Sequence, residues 1–232
     1  MARKPFTGFD GMEPLDRTLP IGRQIYHRLR NGIVSGELAP GIRVSEAVVA
    51  DSMQVSRQPV RETFIKLAEE GLLEIMPQRG TFVPKISVKQ VTTAQFVREA
   101  IEADITKLAA ERFTAAQIAE LRVQLSDQEA CIGGRVERFI TLDDQFHRSL
   151  AAWIDMGQAW DVIETLKAQF DRVRFLSIQK YPVGALVQQH RRVVDAIEAG
   201  DSALAAQAMR EHLRTVLTDL PKIAAERPEL FD

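Results

Sequence analysis

The chain has a single cysteine, Cys131, among its 232 residues. One cysteine excludes an intrachain disulfide framework and fits a reducing compartment. No apolar run approaches the roughly 20 residues that span a bilayer. The first residues, Met1 to Pro20, are polar and lack the apolar stretch of a signal peptide. A cytoplasmic protein with no membrane partner is expected. Aromatic residues are only 6%, against 45% hydrophobic and 27% charged, which is ordinary globular composition with length for two modest domains. Charge of one sign is also scarce, because the net charge is −2. That value argues at first against a nucleic-acid partner, yet the halves differ. Residues 1–85 carry 12 Lys+Arg and 10 Asp+Glu, whereas residues 86–232 carry 18 and 22. A mildly basic front end precedes an acidic body.

Hydrophobic spacing predicts helix almost throughout. Ile21, Ile25, Leu29 and Ile33 form one stripe, which Gly36 and Pro40-Gly41 bring to an end. A short helix is expected from Ser45 to Met53. Ser56 caps a third helix with the apolar face Val60, Phe64, Leu67 and Ala68, closed by Gly71. Leu72–Met76 and Thr81–Val83 are strand-like, and Pro77-Gln78-Arg79-Gly80 between them suits a hairpin turn. Six helices follow, near 88–112, 115–132, 135–155, 158–180, 184–199 and 202–219, with a capping box at Thr114 and Gln117. The tail from Ala224 is expected to fray. The expected fold is mainly α: an N-terminal winged helix-turn-helix and a C-terminal antiparallel six-helix bundle. The divisions read as a flexible segment 1–20, a DNA-binding domain 21–84, a linker 85–89, a helical domain 90–220 for effector binding and dimerisation, and a tail 221–232.

The third helix carries the DNA-reading chemistry. Arg57, Gln58 and Arg61 lie at or near its N-terminus, opposite Phe64 and Leu67. A recognition helix presents its first turns to base edges, and arginine to guanine is the commonest specific contact. Arg79-Gly80 at the wing tip suits the backbone or the minor groove. The competing reading is a solvated helix face.

The helical half holds His147, His190 and His212. Asp143 precedes His147 by four residues and shares its helix face. One carboxylate and three imidazoles on three helices can converge inside a bundle, in a set that suits zinc or another first-row divalent ion. For any one histidine, a hydrogen-bonded core role is the commoner case. Asp144 points about 100° away around the helix.

Two runs carry a family resemblance. Val55-Ser56-Arg57-Gln58-Pro59-Val60-Arg61-Glu62-Thr63, with Glu70-Gly71-Leu72 and Arg79-Gly80-Thr81-Phe82-Val83, resembles the GntR family of bacterial regulators over about residues 21–84. The resemblance implies that Arg57 and Arg61 read DNA and that Gly80 approaches it. Ala47 stands where the family usually has an arginine, which leaves Arg43 as a substitute contact. Gln54 stands where glycine is frequent, at a cost of ~1 kcal/mol if the backbone is left-handed. The DNA-facing set is then Arg43, Ser56, Arg57, Gln58, Arg61, Arg79 and Gly80.

Leu142–Leu150, His190–Asp201, Ala206–Leu213 and Val97–Glu102 resemble the FCD ligand-binding domain of the FadR subfamily, in its six-helix VanR-type branch. That resemblance implies Asp143, His147, His190 and His212 as ligands of a divalent metal, Zn2+ before Ni2+ or Mn2+. It further implies a small carboxylate-bearing effector beside the metal, with Arg98 as its clamp. Arg174 is a second clamp candidate, whose other reading is an exposed charge.

A sequence-specific regulator, a repressor before an activator, is therefore expected. It would bind a roughly palindromic operator as a homodimer. The rival readings are a regulator for which the metal itself is the signal, and a metal-dependent enzyme. No nucleophile–base pair or phosphate loop supports the enzyme.

Overall fold

The computed structural model describes Phe6 and residues 14–232. Of the segment 1–20 expected to be flexible, residues 1–5 and 7–13 lie outside the described residues. The remainder is tied locally: the Asp16 carbonyl accepts from Gln24 Nε2 at 2.7 Å, and Thr18 N–H donates to Asp16 Oδ1 at 2.8 Å. The chain forms two compact units. The first runs to Val88 and includes Arg227–Asp232, and the second is Lys89–Glu226.

The first unit contains α1 (Ile21–Val34), β1 (Arg43–Val44), α2 (Glu46–Met53), α3 (Arg57–Glu69), β2 (Glu74–Met76) and β3 (Gly80–Phe82). Ile25, Leu29 and Ile33 of α1 and Val60, Phe64 and Leu67 of α3 are buried, and the two helices pack together. Ser45 and Ser56 occupy the N-cap positions as expected, but neither side chain makes the capping hydrogen bond. Gln54 ends α2 at φ 52° and ψ 48°, the left-handed geometry for which glycine is better suited. Leu72 and Leu73 lie in the turn that closes α3 rather than in a strand. Both of their N–H groups reach the Leu67 carbonyl, at 2.8 and 3.1 Å. The sheet gains a strand that periodicity does not reveal. Two-residue β1 pairs antiparallel with β3, placing Arg43 opposite Phe82, in the order β1-β3-β2.

The second unit is all helix: α4 (Val88–Arg112, whose first residue belongs to the other unit), α5 (Ala115–Glu129), α6 (Val136–Ala152), α7 (Gly157–Leu166), α8 (Ala168–Lys180), α9 (Val183–Glu198) and α10 (Ser202–Glu226). The Thr114–Gln117 capping box is formed. The expected fourth helix is broken in two at Lys167, whose amine turns inward to Asp144 and Asp171 at 3.0 and 3.1 Å. Phe146, Leu150, Val193, Met209 and Leu213 lie in the main core.

The chain end does not fray. α10 runs through Pro221 to Glu226, past its expected end at 219. The tail then packs within the first unit. Ile86 N–H donates to the Leu230 carbonyl at 2.8 Å, Asp232 N–H donates to the Ile86 carbonyl at 3.2 Å, and Phe231 is buried.

Candidate DNA-reading surface and buried histidine cluster

α3 buries Val60, Thr63, Phe64 and Leu67 and leaves Arg57, Gln58 and Arg61 exposed. Gln58 donates to Glu62 at 2.8 Å, whereas Arg57 and Arg61 have no ion-pair partner among the described residues. Unpaired guanidinium groups on an exposed helix start are free to meet phosphates or base edges. Ser56 and Arg79 are exposed too, and Gly80 is half-buried. Gly80 has φ +109°, and a Cβ there would stand 2.6 Å from Arg43 Nε. The glycine thus makes room for the Arg43 side chain, which β1 lays across the wing. Six of the seven residues expected to face DNA lie on two features, the start of α3 and the wing tip, and Arg43 joins the wing.

In the second unit, α6 supplies Asp143 and His147, α9 supplies His190, and α10 supplies His212. All four side chains are buried, and one ligand atom from each lies within 4.8 Å of the others. His212 Nε2 stands 3.2 Å from His147 Nε2 and 3.1 Å from His190 Nε2. Asp143 Oδ1 is 3.6 Å from His190 Nε2, and Asp143 Oδ2 is 4.0 Å from His147 Nε2.

The far side of each ring explains this convergence. His190 Nδ1 meets Gln128 Oε1 at 2.7 Å, and His212 Nδ1 meets Gln189 Oε1 at 3.0 Å. His147 Nδ1 stands 2.6 Å from Glu102 Oε2. Oxygen acceptors hold the proton on Nδ1 of His190 and His212, so the Nε2 lone pairs of these two rings face the point that His147 Nε2 also approaches. Burial pushes His190 down to about 3; Asp143 opposes this, while His147 and Arg174 add to it. Burial, then His190 and His147, pushes His212 well below the usual histidine value. These two rings therefore stay neutral at physiological pH, and proton sharing does not relieve the crowding of lone pairs.

A shell of charge surrounds the cluster. Burial acts to raise the Glu102 carboxyl, but Arg98 and His147 outweigh it and hold the group at about 2. Arg98 Nε lies 2.6 Å from Glu102 Oε1, and its guanidinium rests over the Phe170 ring at 4.5 Å. Arg174 donates to Asp143 Oδ2 at 2.7 Å and to Asp144 Oδ1 at 2.9 Å. Arg174 is thus buried in an ion network, and the exposed-charge reading is corrected. Asp144 stays outside the cluster, bonded to Arg174 and Lys167. Sequence reasoning missed Glu102, Gln128 and Gln189. Only Glu102 carried a signal, its spacing of four from Arg98.

A cavity of about 260 Å³ adjoins the cluster. Arg98, Asp143, Arg174 and His212 line one part, and Phe170, Ile178, Leu186, Leu213 and Val216 line apolar walls. The two Arg98 terminal nitrogens have no partner among the described residues.

A winged-helix unit with an arginine-bearing exposed helix, followed by an all-helical unit, defines a two-domain DNA-binding regulator. The comparisons with known proteins agree. The pattern for bacterial regulatory proteins of the gntR family matches residues 21–83, and the FCD domain pattern matches residues 95–215. The chain is 41% identical over 219 residues to the HTH-type transcriptional repressor RspR of Escherichia coli K12, covering 94% of this chain and 96% of that protein. It is 30% identical over 186 residues to a probable D-xylose utilization operon transcriptional repressor of Paenarthrobacter nicotinovorans, covering 80% and 82%. Among solved structures, E. coli McbR/YncC superimposes with a TM-score of 0.76 at 20% identity, covering 88% of this chain and 98% of that one. The chain belongs to the GntR family of bacterial transcriptional regulators and carries an FCD domain. These families and relatives are transcriptional regulators rather than enzymes. No helix among the described residues is long and apolar enough to cross a membrane.

Proposed function

We propose that this regulator is a dimeric repressor whose operator affinity is set by a small organic acid bound beside a divalent metal in the helical unit. The observation that carries the reading is the meeting of three Nε2 atoms, that of His212 lying 3.1–3.2 Å from the other two, with an oxygen behind each ring. The neutral lone pairs of His190 and His212 repel at that separation, and a cation between them removes the repulsion. Tetrahedral zinc with bonds of about 2.0–2.1 Å spaces its nitrogens by about 3.3 Å, close to what is seen. Asp143, His147, His190 and His212 would hold the ion. Arg174 would orient Asp143, and Glu102, Gln128 and Gln189 would orient the rings.

The metal would supply a positive site for a carboxylate. Arg98 would clamp that carboxylate with its unpartnered nitrogens, and Arg174 would add positive potential to the same wall. The mostly apolar cavity favours an organic ligand over the ion alone as the signal. On the DNA side, Arg57, Arg61 and Gln58 would enter the major groove from α3, with Ser56 at its start. Arg79, Gly80 and Arg43 would meet the backbone at the wing. A two-fold operator follows from a dimer placing one α3 in each half-site.

Elemental analysis of the purified chain should find about one zinc, nickel or manganese ion per chain. His190→Ala with His212→Ala should abolish it. A metal-free wild type that still releases operator DNA in response to a carboxylate would overturn the reading.

A further inference from the structure

The cavity beside the histidine cluster is not uniform. It runs along α10, whose His212, Thr215, Val216 and Asp219 all line it. Asp219 stands seven positions after His212. Seven residues are about two turns, so the two side chains share a face about 10 Å apart along the axis. At the far end Asp219 accepts a hydrogen bond from Ser177 Oγ, across from α8. Both residues are largely buried, at 9% and 6% exposure. Asp219 has no cationic partner among the described residues, and Ser177 is its one hydrogen-bond donor there. A carboxylate has room for about four hydrogen bonds, so most of the accepting capacity of this cavity-lining residue is unused. Every other carboxylate lining this cavity is taken: Asp143 is bonded to Arg174.

We propose that Asp219, held in place by Ser177, is a specificity residue that requires the effector to carry a hydroxyl or ammonium group at the end opposite its carboxylate. This rests on the acid-beside-metal reading above. The spacing sets the ligand's length. Of the 10 Å, a metal–oxygen bond takes about 2 Å and a hydrogen bond to Asp219 about 2.8 Å. About 5 Å remain between the acid oxygen and the donor atom, which a chain of four or five carbons spans with one or two gauche bonds. Phe170, Ile178 and Val216 line the space between with apolar surface, which suits the carbon chain. A ligand with a methyl group in place of the donor would leave the buried Asp219 carboxylate desolvated with Ser177 as its one donor.

The experiment is calorimetric titration of the zinc-loaded full chain with 4-hydroxybutanoate and 5-hydroxypentanoate. Their methyl-ended counterparts, pentanoate and hexanoate, serve as length-matched controls. 4-Aminobutanoate and 5-aminopentanoate distinguish an ammonium from a hydroxyl. Wild type should bind at least one donor-ended acid roughly 10- to 100-fold more tightly than its control, as a hydrogen bond to a charged group allows. Asp219→Leu should erase or invert that ratio while pentanoate still binds. Ser177→Ala should narrow the ratio without erasing it, since Asp219 keeps its charge but loses the donor that holds it. If Asp219 and Ser177 only pin α8 to α10, both variants instead weaken every acid alike and leave the ratio unchanged, which overturns the proposal. Equal binding of donor-ended and methyl-ended acids by wild type also overturns it, with the acid-beside-metal reading intact. Failure of every acid to bind the zinc-loaded chain overturns both.

Discussion

Acid should destabilise the metal-free helical unit, and His190 sets the scale. The ring is fully buried, faced by Asp143, His147, Arg174, Glu102 and His212, and its value is pushed down to about 3. In the unfolded chain histidine titrates near 6.5. The folded value is the lower one, so the unfolded chain binds more protons at every pH between the two. Stability is therefore complete above about pH 6.5 and is lost as pH falls toward 3. Each pH unit in that window is worth about 1.4 kcal/mol for one ring. Between pH 7 and pH 5, His190 alone removes about 2 kcal/mol. His212 is shifted in the same direction and adds to the loss. For a unit of this size the drop corresponds to roughly 5–8 °C in Tm. The assay is thermal unfolding followed by circular dichroism in chelator across pH 5–7, repeated with saturating zinc. Zinc should raise Tm at pH 7, and the increment should shrink toward pH 5 as protons compete for the same nitrogens. A metal-free Tm that stays flat between pH 7 and pH 5 refutes the buried, neutral cluster.

Glu102→Gln leaves an acceptor for His147 but removes the charge that Arg98 and His147 share. Zinc affinity, measured by competition with a chromophoric chelator, should fall about 10- to 100-fold; no change would show that Glu102 does not orient the ring. Gly80→Ala places a Cβ 2.6 Å from Arg43 Nε at φ +109°. It should cost the winged-helix unit about 1–3 kcal/mol in urea unfolding and displace Arg43, and a wild-type midpoint would count against that packing. Arg57→Ala and Arg61→Ala remove exposed, unpaired side chains, so the helical spectrum should persist. Each should cost about 1–3 kcal/mol of discrimination for operator over random DNA in a binding assay at fixed salt, and unchanged selectivity would remove the residue from the readout.

What was legible in the sequence follows from what periodicity can carry. α1 and α3 announce themselves because Ile25, Leu29, Ile33, Val60, Phe64 and Leu67 repeat at helical spacing, and all six are buried. Asp143 and His147 show their shared face through a spacing of four, and family resemblance joined them to His190 and His212. The structure supplies what spacing lacks, the meeting of ring atoms from three helices. β1 was illegible because two residues have no period, although they bring Arg43 to the wing. The tail was illegible for a similar reason. Phe231 is a lone aromatic after Pro228, and its burial depends on a long-range bridge to Ile86.

The least legible element is α8, and the reason bears on the site. Read alone, Gln169, Asp171, Arg172 and Arg174 look like a solvated face, and Lys167 looks like its edge. All five are buried, together with Phe170, Val173, Phe175 and Ile178. A polar helix can sit in an interior only if its charges find partners, because an unpaired buried charge costs several kcal/mol. Arg174 finds Asp143 and Asp144, and Lys167 finds Asp144 and Asp171. One of those carboxylates, Asp143, belongs to the histidine cluster. The break at Lys167 has the same origin. Neither glycine nor proline stands there, and the helix yields where an amine must turn toward two carboxylates. The feature that defeats hydrophobic patterning is thus the network that fixes Asp143. At Ser177 the same helix touches Asp219 as well, so one buried polar element bounds both ends of the cavity.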